Sequence, residues 1–240
     1  MSKLKVEIWS DIMCPFCYIG KRKFETALNR FPEKDSIEIE WKSFQLSPDL
    51  RTDSEHPQKD TYDYVAEKYG NTREWSIQMH ENITQQAKES GLDYHFENAI
   101  IANTFDAHRL IHLAKSEGLG DELEEALFKA YFTEGKDVSD IATLTEIGLQ
   151  AGLNPEEIKE TLHSNAYSQA VRLDIEEAQQ IGVRGVPFFV FDRKYAVSGA
   201  QSPDVFSSTL ETVWKEWEEK QGTSFKTIEG NSCSTDGKCD

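Results

Sequence analysis

The chain has 240 residues, which is enough for one large domain or two small ones with a well-buried core. Hydrophobic residues make up 38% and aromatic residues 11% of the sequence, so we expect most of the chain to fold. The formal net charge is −17 at pH 7. An acidic surface repels nucleic-acid phosphates and anionic lipids, and we therefore expect no nucleic-acid partner and no membrane partner.

The N-terminal residues, MSKLKVEIWSDIMC, contain no long apolar run after their basic residues. They lack the apolar segment of a secretory signal, and no stretch of about 18 apolar residues occurs elsewhere. We therefore expect a cytoplasmic protein, in a compartment where thiols are kept reduced and disulfides are usually transient and catalytic.

The beginning of the chain has the pattern of a strand, a helix and a second strand. Lys5–Ser10 is the first predicted strand, and apolar residues recur at helical spacing from Cys14 until Pro32 ends the helix. In Ile37–Phe44, apolar and charged residues alternate as in a strand that is buried on one face. This order predicts a parallel βαβ unit.

The following residues, from about Arg51 to His163, have helical periodicity and contain turn signals such as Gly91. The predicted helices of this region are Thr61–Tyr69, Thr72–Ser90, Thr104–Glu117, Asp121–Thr133, Ser139–Ala151 and Pro155–His163. The last predicted elements are a helix at Ala166–Ile181, strands at Pro187–Phe191 and Tyr195–Val197, and a helix from Ser202 to about Lys220.

The four cysteines form two close pairs, Cys14 with Cys17 and Cys233 with Cys239. The first pair lies where the first strand turns into a helix. The positive end of the helix dipole and the free N–H groups there favour a thiolate at Cys14. Pro15 suits the first helical position, and Cys17 follows one turn later within reach of Cys14. This setting predicts a redox-active dithiol.

In the expected reaction Cys14 exchanges with a substrate disulfide or thiol, and Cys17 resolves the mixed disulfide. Phe16 occupies the position between the cysteines that tunes the pair. The alternative is half of a zinc site, because two intervening residues also suit zinc ligands. The five residues between Cys233 and Cys239 exceed the usual ligand gap, and we predict no metal site.

Pro187 directly precedes an apolar strand, where a cis Val186–Pro187 bond would fit a tight turn. Beside the cysteine pair, such a turn leaves the Val186 backbone available to an extended substrate. The alternative is an ordinary proline at the edge of a strand.

Three segments, SDIMCPFCYIGKRKFETAL, NTFDAHRLIHLA and GVRGVPFFVF, together resemble the DsbA-like thioredoxin-fold oxidoreductases, and the FrnE-type branch most closely. The resemblance extends from about Lys5 to Lys220. It implies that Cys14 is the nucleophile, Cys17 the resolving cysteine and Pro187 a cis-proline. It also implies an α/β thioredoxin-like fold with an inserted all-α helical domain. The expected boundaries are 1–50 and 164–221 for the thioredoxin-like domain, 51–163 for the insertion and 222–240 for a flexible tail.

The same superfamily includes kappa-class glutathione transferases and 2-hydroxychromene-2-carboxylate isomerases. They resemble this chain in layout but have a Ser where Cys14 stands, and they use glutathione. The leading interpretation is therefore thiol–disulfide exchange on protein or small-molecule thiols, without a cofactor except possible glutathione as co-substrate. The alternatives are a glutathione-dependent isomerase or transferase and a zinc-stabilised binding protein. Either a monomer or a homodimer is compatible with the sequence.

We expect Val186, Phe16 and Pro15 to contact substrate beside the cysteine pair. The resemblance implies that the inserted helical domain adds Asn103, Phe105, His108 and Arg109 to the substrate groove. For Asp11 we favour bonding to local backbone over a proton relay. His108 and His112 share a helix face without an obvious third metal ligand, which favours packing. Cys233 and Cys239 are a possible second redox pair that exchanges with Cys14 and Cys17, and the alternative is a local disulfide.

Overall fold

The structure is a computed structural model and describes residues 3–51 and 59–221. Its strands within these ranges are β1 (Leu4–Ser10), β2 (Ile37–Ser43), β3 (Phe188–Phe191) and β4 (Tyr195–Ser198). They form one sheet in the order β2–β1–β3–β4. Strands from both ends of the chain therefore meet at the centre of the sheet.

The predicted βαβ unit is confirmed, because β1 and β2 pair in parallel with Ile8 opposite Trp41. The other two pairings, β1 with β3 and β3 with β4, are antiparallel. In the β1–β3 pair, Ile8 lies opposite Phe189. All residues of β1 except Lys5 are buried, as expected for a central strand that is covered on both faces. Pro187 stays outside β3, since it has no N–H to give to the ladder.

The helices lie close to their predicted positions. They are α1 (Pro15–Arg30), α2 (Thr61–Tyr69), α3 (Arg73–Glu89), α4 (Phe105–Ser116), α5 (Gly120–Phe132), α6 (Ile141–Gln150), α7 (Pro155–His163), α8 (Ser168–Gln180) and α9 (Pro203–Gln221), with short 3₁₀ helices at Lys34–Ser36 and Phe96–Asn98. The segment between α3 and α4 is otherwise non-helical, although the periodicity indicated helix throughout. Gly91, with a φ of 75°, turns the chain away from the helical path there.

Two helices begin later than predicted for local reasons. α6 begins at Ile141 because the Asp140 carboxylate caps it, accepting a hydrogen bond from the Thr143 N–H at 2.8 Å. α8 begins at Ser168 because Tyr167 has a φ of 60°, which is incompatible with a right-handed helix. No helix in the two described ranges is long and apolar enough to cross a membrane.

One aromatic cluster joins the two chain segments that supply the sheet. The Phe24 ring on α1 contacts the rings of Phe189, Phe191 and Phe206, with centroids 5.5, 6.1 and 5.6 Å away. Phe206 lies on α9, which packs against α1. The edge strand β2 is contacted by α4, α5 and α8. The domain boundaries inferred from the sequence stay a prediction.

The Phe24 cluster gives a test of this packing. Phe24→Ala removes a fully buried ring, so we expect the free energy of unfolding to fall by about 3–5 kcal/mol, and Phe24→Leu to cost clearly less. Leu173→Ala on the exposed face of α8, where Leu173 is 54% exposed, is the control and should change stability by less than about 0.5 kcal/mol. Equal losses in urea unfolding for the Phe24→Ala and Leu173→Ala variants would contradict this description of the core.

Candidate active site

Cys14 lies at the N-cap of α1, between the end of β1 and the first helical turn. Its backbone N–H donates to the Asp11 carbonyl at 2.9 Å, and the Cys17 N–H donates to the Cys14 carbonyl at 3.0 Å. Pro15 takes the first helical position, where its missing N–H costs nothing. The Cys14 side chain therefore lies at the positive end of the helix dipole.

The Cys14 thiol faces the loop before β3. Its Sγ donates to the Val186 carbonyl oxygen at 3.3 Å, and the Val186–Pro187 peptide bond is cis, as predicted. Gly20, one turn beyond Cys17 on α1, makes room for this loop. A Cβ on Gly20 would lie 2.9 Å from the Pro187 Cγ, so a larger residue would push helix and loop apart.

Cys17 lies beneath Cys14 and is 1% exposed. Burial raises the pKa of its thiol well above the usual value, and the hydrogen bond and charge of Cys14 raise it further. The nearby Asp11 backbone and Ser10 side chain lower this pKa and only partly offset these effects. Both cysteines are free thiols in the structure, and Cys17 is held in its protonated form.

A buried carboxyl group lies behind Cys17. Glu124 on α5 is 1% exposed, and the Ser10 hydroxyl donates to its Oε1 at 2.8 Å. Burial raises the pKa of Glu124 to about 7, although His108 and the Ser10 hydrogen bond act in the opposite direction. Ser10 thus connects a carboxyl that titrates near neutral pH with the Cys17 thiol.

Asp11 and His108 complete the polar layer beneath the cysteines. The Asp11 carboxylate accepts from the local Met13 N–H at 3.5 Å, as expected, but its shorter hydrogen bond, at 2.7 Å, is with the Leu46 N–H of a segment 35 residues away. His108 is 1% exposed, and its Nε2 lies 3.6 Å from Asp11 Oδ1 without a hydrogen-bond partner among the described residues. His108 therefore lies behind the cysteines, not in a groove in front of them.

The segment between α3 and α4 supports the turn that holds the cysteines. The Tyr94 hydroxyl donates to the Pro15 carbonyl at 2.8 Å. The Tyr94 ring stacks on Phe132 at 4.5 Å, and Tyr18 of α1 stacks on Phe128 at 5.0 Å. This hydrogen bond and these stacked aromatic rings help to fix the helical region to the beginning of α1.

A cavity of about 330 Å³ opens beside Cys14. Its lining combines the cysteine turn, α2, α3, the segment after α3, the end of α5 and the loop before Pro187. The lining residues include Met13, Cys14, Pro15, Phe16, Leu46, Tyr64, Val65, Lys68, Met79, Phe96, Tyr131, Arg184 and Val186. Three of the predicted groove residues, Pro15, Phe16 and Val186, are thus brought together around Cys14.

Arg109 does not line this cavity, which corrects the placement implied by the resemblance. It is 4% exposed, and its guanidinium donates to the carbonyls of Ala166, Thr161 and Ser164 and to the Asp106 carboxylate. These carbonyls lie in the last turn of α7 and just after it, where backbone acceptors have no intrahelical partner. Arg109 therefore stabilises a helix end.

Asn103 and Phe105 line a separate surface pocket with Arg172. The His112 Nε2 lies 3.0 Å from the Asp174 Oδ2. Asp174 also accepts from the Ser43 N–H at 3.0 Å and pairs with Lys42, so His112 belongs to a network that ties α8 to β2.

Within the described ranges, no three His, Cys, Asp or Glu side chains are placed to hold a metal ion. The predicted second pair, Cys233 and Cys239, lies outside these ranges.

The sequence-based interpretation missed Glu124, Tyr94 and Arg184. A signal for Glu124 was present, since it shares a helix face with Leu127, Phe128 and Tyr131 at spacings of three, four and seven. A carboxylate on the apolar face of a helix indicates a buried acid. Tyr94 and Arg184 lie in loops, and the sequence carries no periodicity that would orient their side chains.

Residues 5–211 match the family model described as the DSBA-like thioredoxin domain. The match covers most of the chain, and the chain therefore belongs to this family of thioredoxin-fold disulfide oxidoreductases. The family and the fold predicted from the three segments are confirmed.

Individual relatives agree with this assignment. The uncharacterized protein YwbO of Bacillus subtilis (strain 168) is 29% identical over 207 residues, which cover 85% of this chain and 94% of YwbO. The crystal structure of the probable DsbA oxidoreductase SCO1869 from Streptomyces coelicolor has 39% identity and a TM-score of 0.84. The match covers 99% of this chain and 98% of that one.

A more distant structure shares the fold. The cytosolic disulfide reductase DsbM from Pseudomonas aeruginosa, solved with glutathione (GSH), has 16% identity and a TM-score of 0.60. The match covers 88% of this chain and 100% of DsbM. At this identity the similarity concerns the fold alone.

The raised pKa of Glu124 predicts a specific pH dependence of stability. Because the folded-state pKa of about 7 exceeds the usual 4.5, folding holds a proton that the unfolded chain releases. Stability is therefore lost as pH rises between these values. Glu124→Gln removes this loss, so the stability of the variant relative to wild type should increase by roughly 2–3 kcal/mol from pH 5 to pH 8.

Urea unfolding at both pH values measures the effect. Glu122→Gln, at an exposed position on the same helix, is the matched control and should keep the wild-type pH dependence. A Glu124→Gln variant whose stability follows wild type at both pH values would show that Glu124 is ionised throughout.

Proposed function

We propose that this chain is a dithiol–disulfide oxidoreductase in which Cys14 is the attacking and Cys17 the resolving thiol. The observation that carries the proposal is the position of Cys14 at the start of α1, with its Sγ 3.3 Å from the Val186 carbonyl and beside an open cavity. A substrate sulfur in that cavity reaches Cys14 first, whereas Cys17 is accessible only through Cys14.

The reaction consists of two successive thiol–disulfide exchanges. The Cys14 thiolate attacks a substrate disulfide, one new S–S bond forms, the substrate bond breaks and one substrate thiol leaves. Cys17 then attacks Cys14, releases the second substrate thiol and leaves a Cys14–Cys17 disulfide. We propose two molecules of a low-molecular-weight thiol such as glutathione as the reductant that restores the dithiol and becomes the corresponding disulfide.

The second exchange requires Cys17 to lose its proton, against a raised pKa. We assign the acceptor as Glu124, reached through the Ser10 hydroxyl that donates to it at 2.8 Å. A carboxyl whose pKa is about 7 can take the proton at neutral pH and return it when the disulfide is reduced again. Ser10 passes the proton between the two groups.

Exchange between sulfur atoms needs no bound cofactor, and we propose none. The cytoplasmic location and the choice between monomer and homodimer stay predictions.

The Val186 carbonyl points at Cys14, and we propose that the backbone of this loop pairs with the extended part of a substrate, as a strand does at a sheet edge.

Trapping the intermediate tests the roles of the two cysteines. With Cys233 and Cys239 replaced by Ser, we expect Cys17→Ser to accumulate a mixed disulfide between Cys14 and substrate, because the resolving thiol is missing. Intact-mass spectrometry after mixing with a disulfide peptide measures the adduct. Steady-state turnover of this variant should fall at least about 100-fold.

Cys14→Ser is the matched variant and should form no adduct, since Cys14 lines the cavity whereas Cys17 is not among its described lining residues. Turnover of Cys17→Ser at the wild-type rate would contradict the proposal and favour chemistry through one thiol, as in a glutathione-dependent isomerase or transferase. An adduct on Cys17 in the Cys14→Ser variant would contradict the assigned order of attack.

A further inference from the structure

The cavity beside Cys14 differs in charge from the rest of the molecule. Asp and Glu make up 43 of the 240 residues, and the net charge is −17. Among the described residues that line the cavity, however, there is no carboxylate, and there are two cations, Lys68 and Arg184. His80 also lines it, but burial lowers the pKa of this buried imidazole, so it adds no charge at neutral pH.

Neither cation is neutralised by a carboxylate within the described part of the chain. Lys68 is exposed, and its Nζ donates to the Leu46 carbonyl at 3.1 Å and to the Ser47 hydroxyl at 2.6 Å. Arg184 is exposed and has no side-chain hydrogen bond or ion pair with the described residues. It lies two residues before Val186, whose carbonyl accepts from Cys14.

The rim of the cavity carries exposed apolar side chains. Phe16 and Leu46 are each 36% exposed, and Tyr69 is 60% exposed. Large apolar side chains that remain exposed around one opening are typical of a binding surface. The interior is also apolar, with Met79, Phe96 and Phe132 among its lining residues.

From these features we infer that the substrate is a carboxylate-bearing disulfide or thiol with an apolar portion beside its sulfur. The apolar portion occupies the cavity, and the carboxylate binds the guanidinium of Arg184, with Lys68 as a second cation. Arg184 is thus a specificity-determining residue. The inference rests on the proposed function, because it assigns the chemical class of substrate for that exchange.

The charges of the cavity support a carboxylate as the recognised group. The net charge of −17 repels an anionic substrate, so its recognition requires local cations, and Lys68 and Arg184 supply them among the described lining residues. A guanidinium without a partner can bind a carboxylate through two parallel hydrogen bonds.

The size of the cavity limits the substrate. The volume of about 330 Å³ suits a small molecule or one side chain of an extended peptide.

Matched small disulfides test the inference. Dithiodipropionate is anionic, hydroxyethyl disulfide neutral and cystamine cationic, and all three have similar chain lengths. The reduced protein, with Cys233 and Cys239 replaced by Ser, is mixed with each at pH 7. The second-order rate constant for each disulfide is divided by the rate constant of the same disulfide with dithiothreitol, which corrects for its intrinsic reactivity. The ratio of the anionic to the cationic rate is the measured selectivity.

We expect wild type to favour dithiodipropionate over cystamine, and Arg184→Glu to lower this selectivity by about tenfold. Raising the ionic strength should weaken the wild-type preference, because the recognised charge is exposed. Lys159→Glu, at an exposed position on α7 away from the cavity, makes the same change in net charge. Its selectivity should remain within about twofold of wild type.

The outcomes separate this inference from the proposed function. If no disulfide reacts with the reduced wild type, the proposed function fails. If all three disulfides react, and the Arg184→Glu variant has the same selectivity as wild type, the inference alone is overturned. An equal loss in Lys159→Glu also overturns it, because the preference would then reflect net charge.

Two sources could supply the carboxylate, and a second pair of substrates distinguishes them. Disulfide-cyclised peptides with either Glu or Lys beside each cysteine repeat the measurement. An Arg184-dependent preference for the Glu peptide supports an acidic protein segment as the natural substrate. A preference confined to dithiodipropionate supports a small carboxylate thiol. If the Arg184→Glu substitution changes the selectivity neither for the peptides nor for the small disulfides, the inference is overturned.

Discussion

The contact between the Cys14 thiol and the Val186 carbonyl joins two segments that lie 172 residues apart in the chain. The first strand and α1 place Cys14 at a helix N-terminus, and the loop before β3 brings the carbonyl to 3.3 Å from its Sγ. The central strand β1 pairs with β3, which fixes where this loop meets α1. Gly20 leaves the space that the close approach of Pro187 requires. The site therefore depends on sheet pairing between segments far apart in sequence.

The helical region between β2 and β3 contributes on both sides of the cysteines. Below them, α5 supplies Glu124, a carboxyl whose raised pKa follows from its burial, and Ser10 links it with Cys17. Above them, α2 and α3 supply walls of the cavity, and Lys68 adds a cation at its edge. The proposed proton acceptor and the second cation of the proposed substrate site thus come from helices outside the sheet, whereas Arg184 lies in the loop before β3.

Much of this arrangement could be predicted from the sequence, because local patterns determine it. The strand-to-helix turn at Cys14 follows from a short motif, and the order of helices follows from their periodicity. The cis bond before Pro187 was implied by the family resemblance, since the residues alone also allowed an ordinary proline at a strand edge. The partners of buried polar side chains were harder to predict. Arg109 was expected in the groove, yet its guanidinium holds the carbonyls after α7, because only the folded chain shows which backbone acceptors lack partners.

The central claim is that Cys14 and Cys17 form one two-electron couple. Equilibrating the intact chain in glutathione buffers of stepped redox potential, followed by alkylation and mass spectrometry of the peptide that contains both cysteines, tests it most directly. We predict that the two thiols disappear together in one transition, with a loss of two hydrogen masses and no glutathione adduct at equilibrium. Stable glutathione on Cys14 with Cys17 still free, or two separate transitions, would contradict the account.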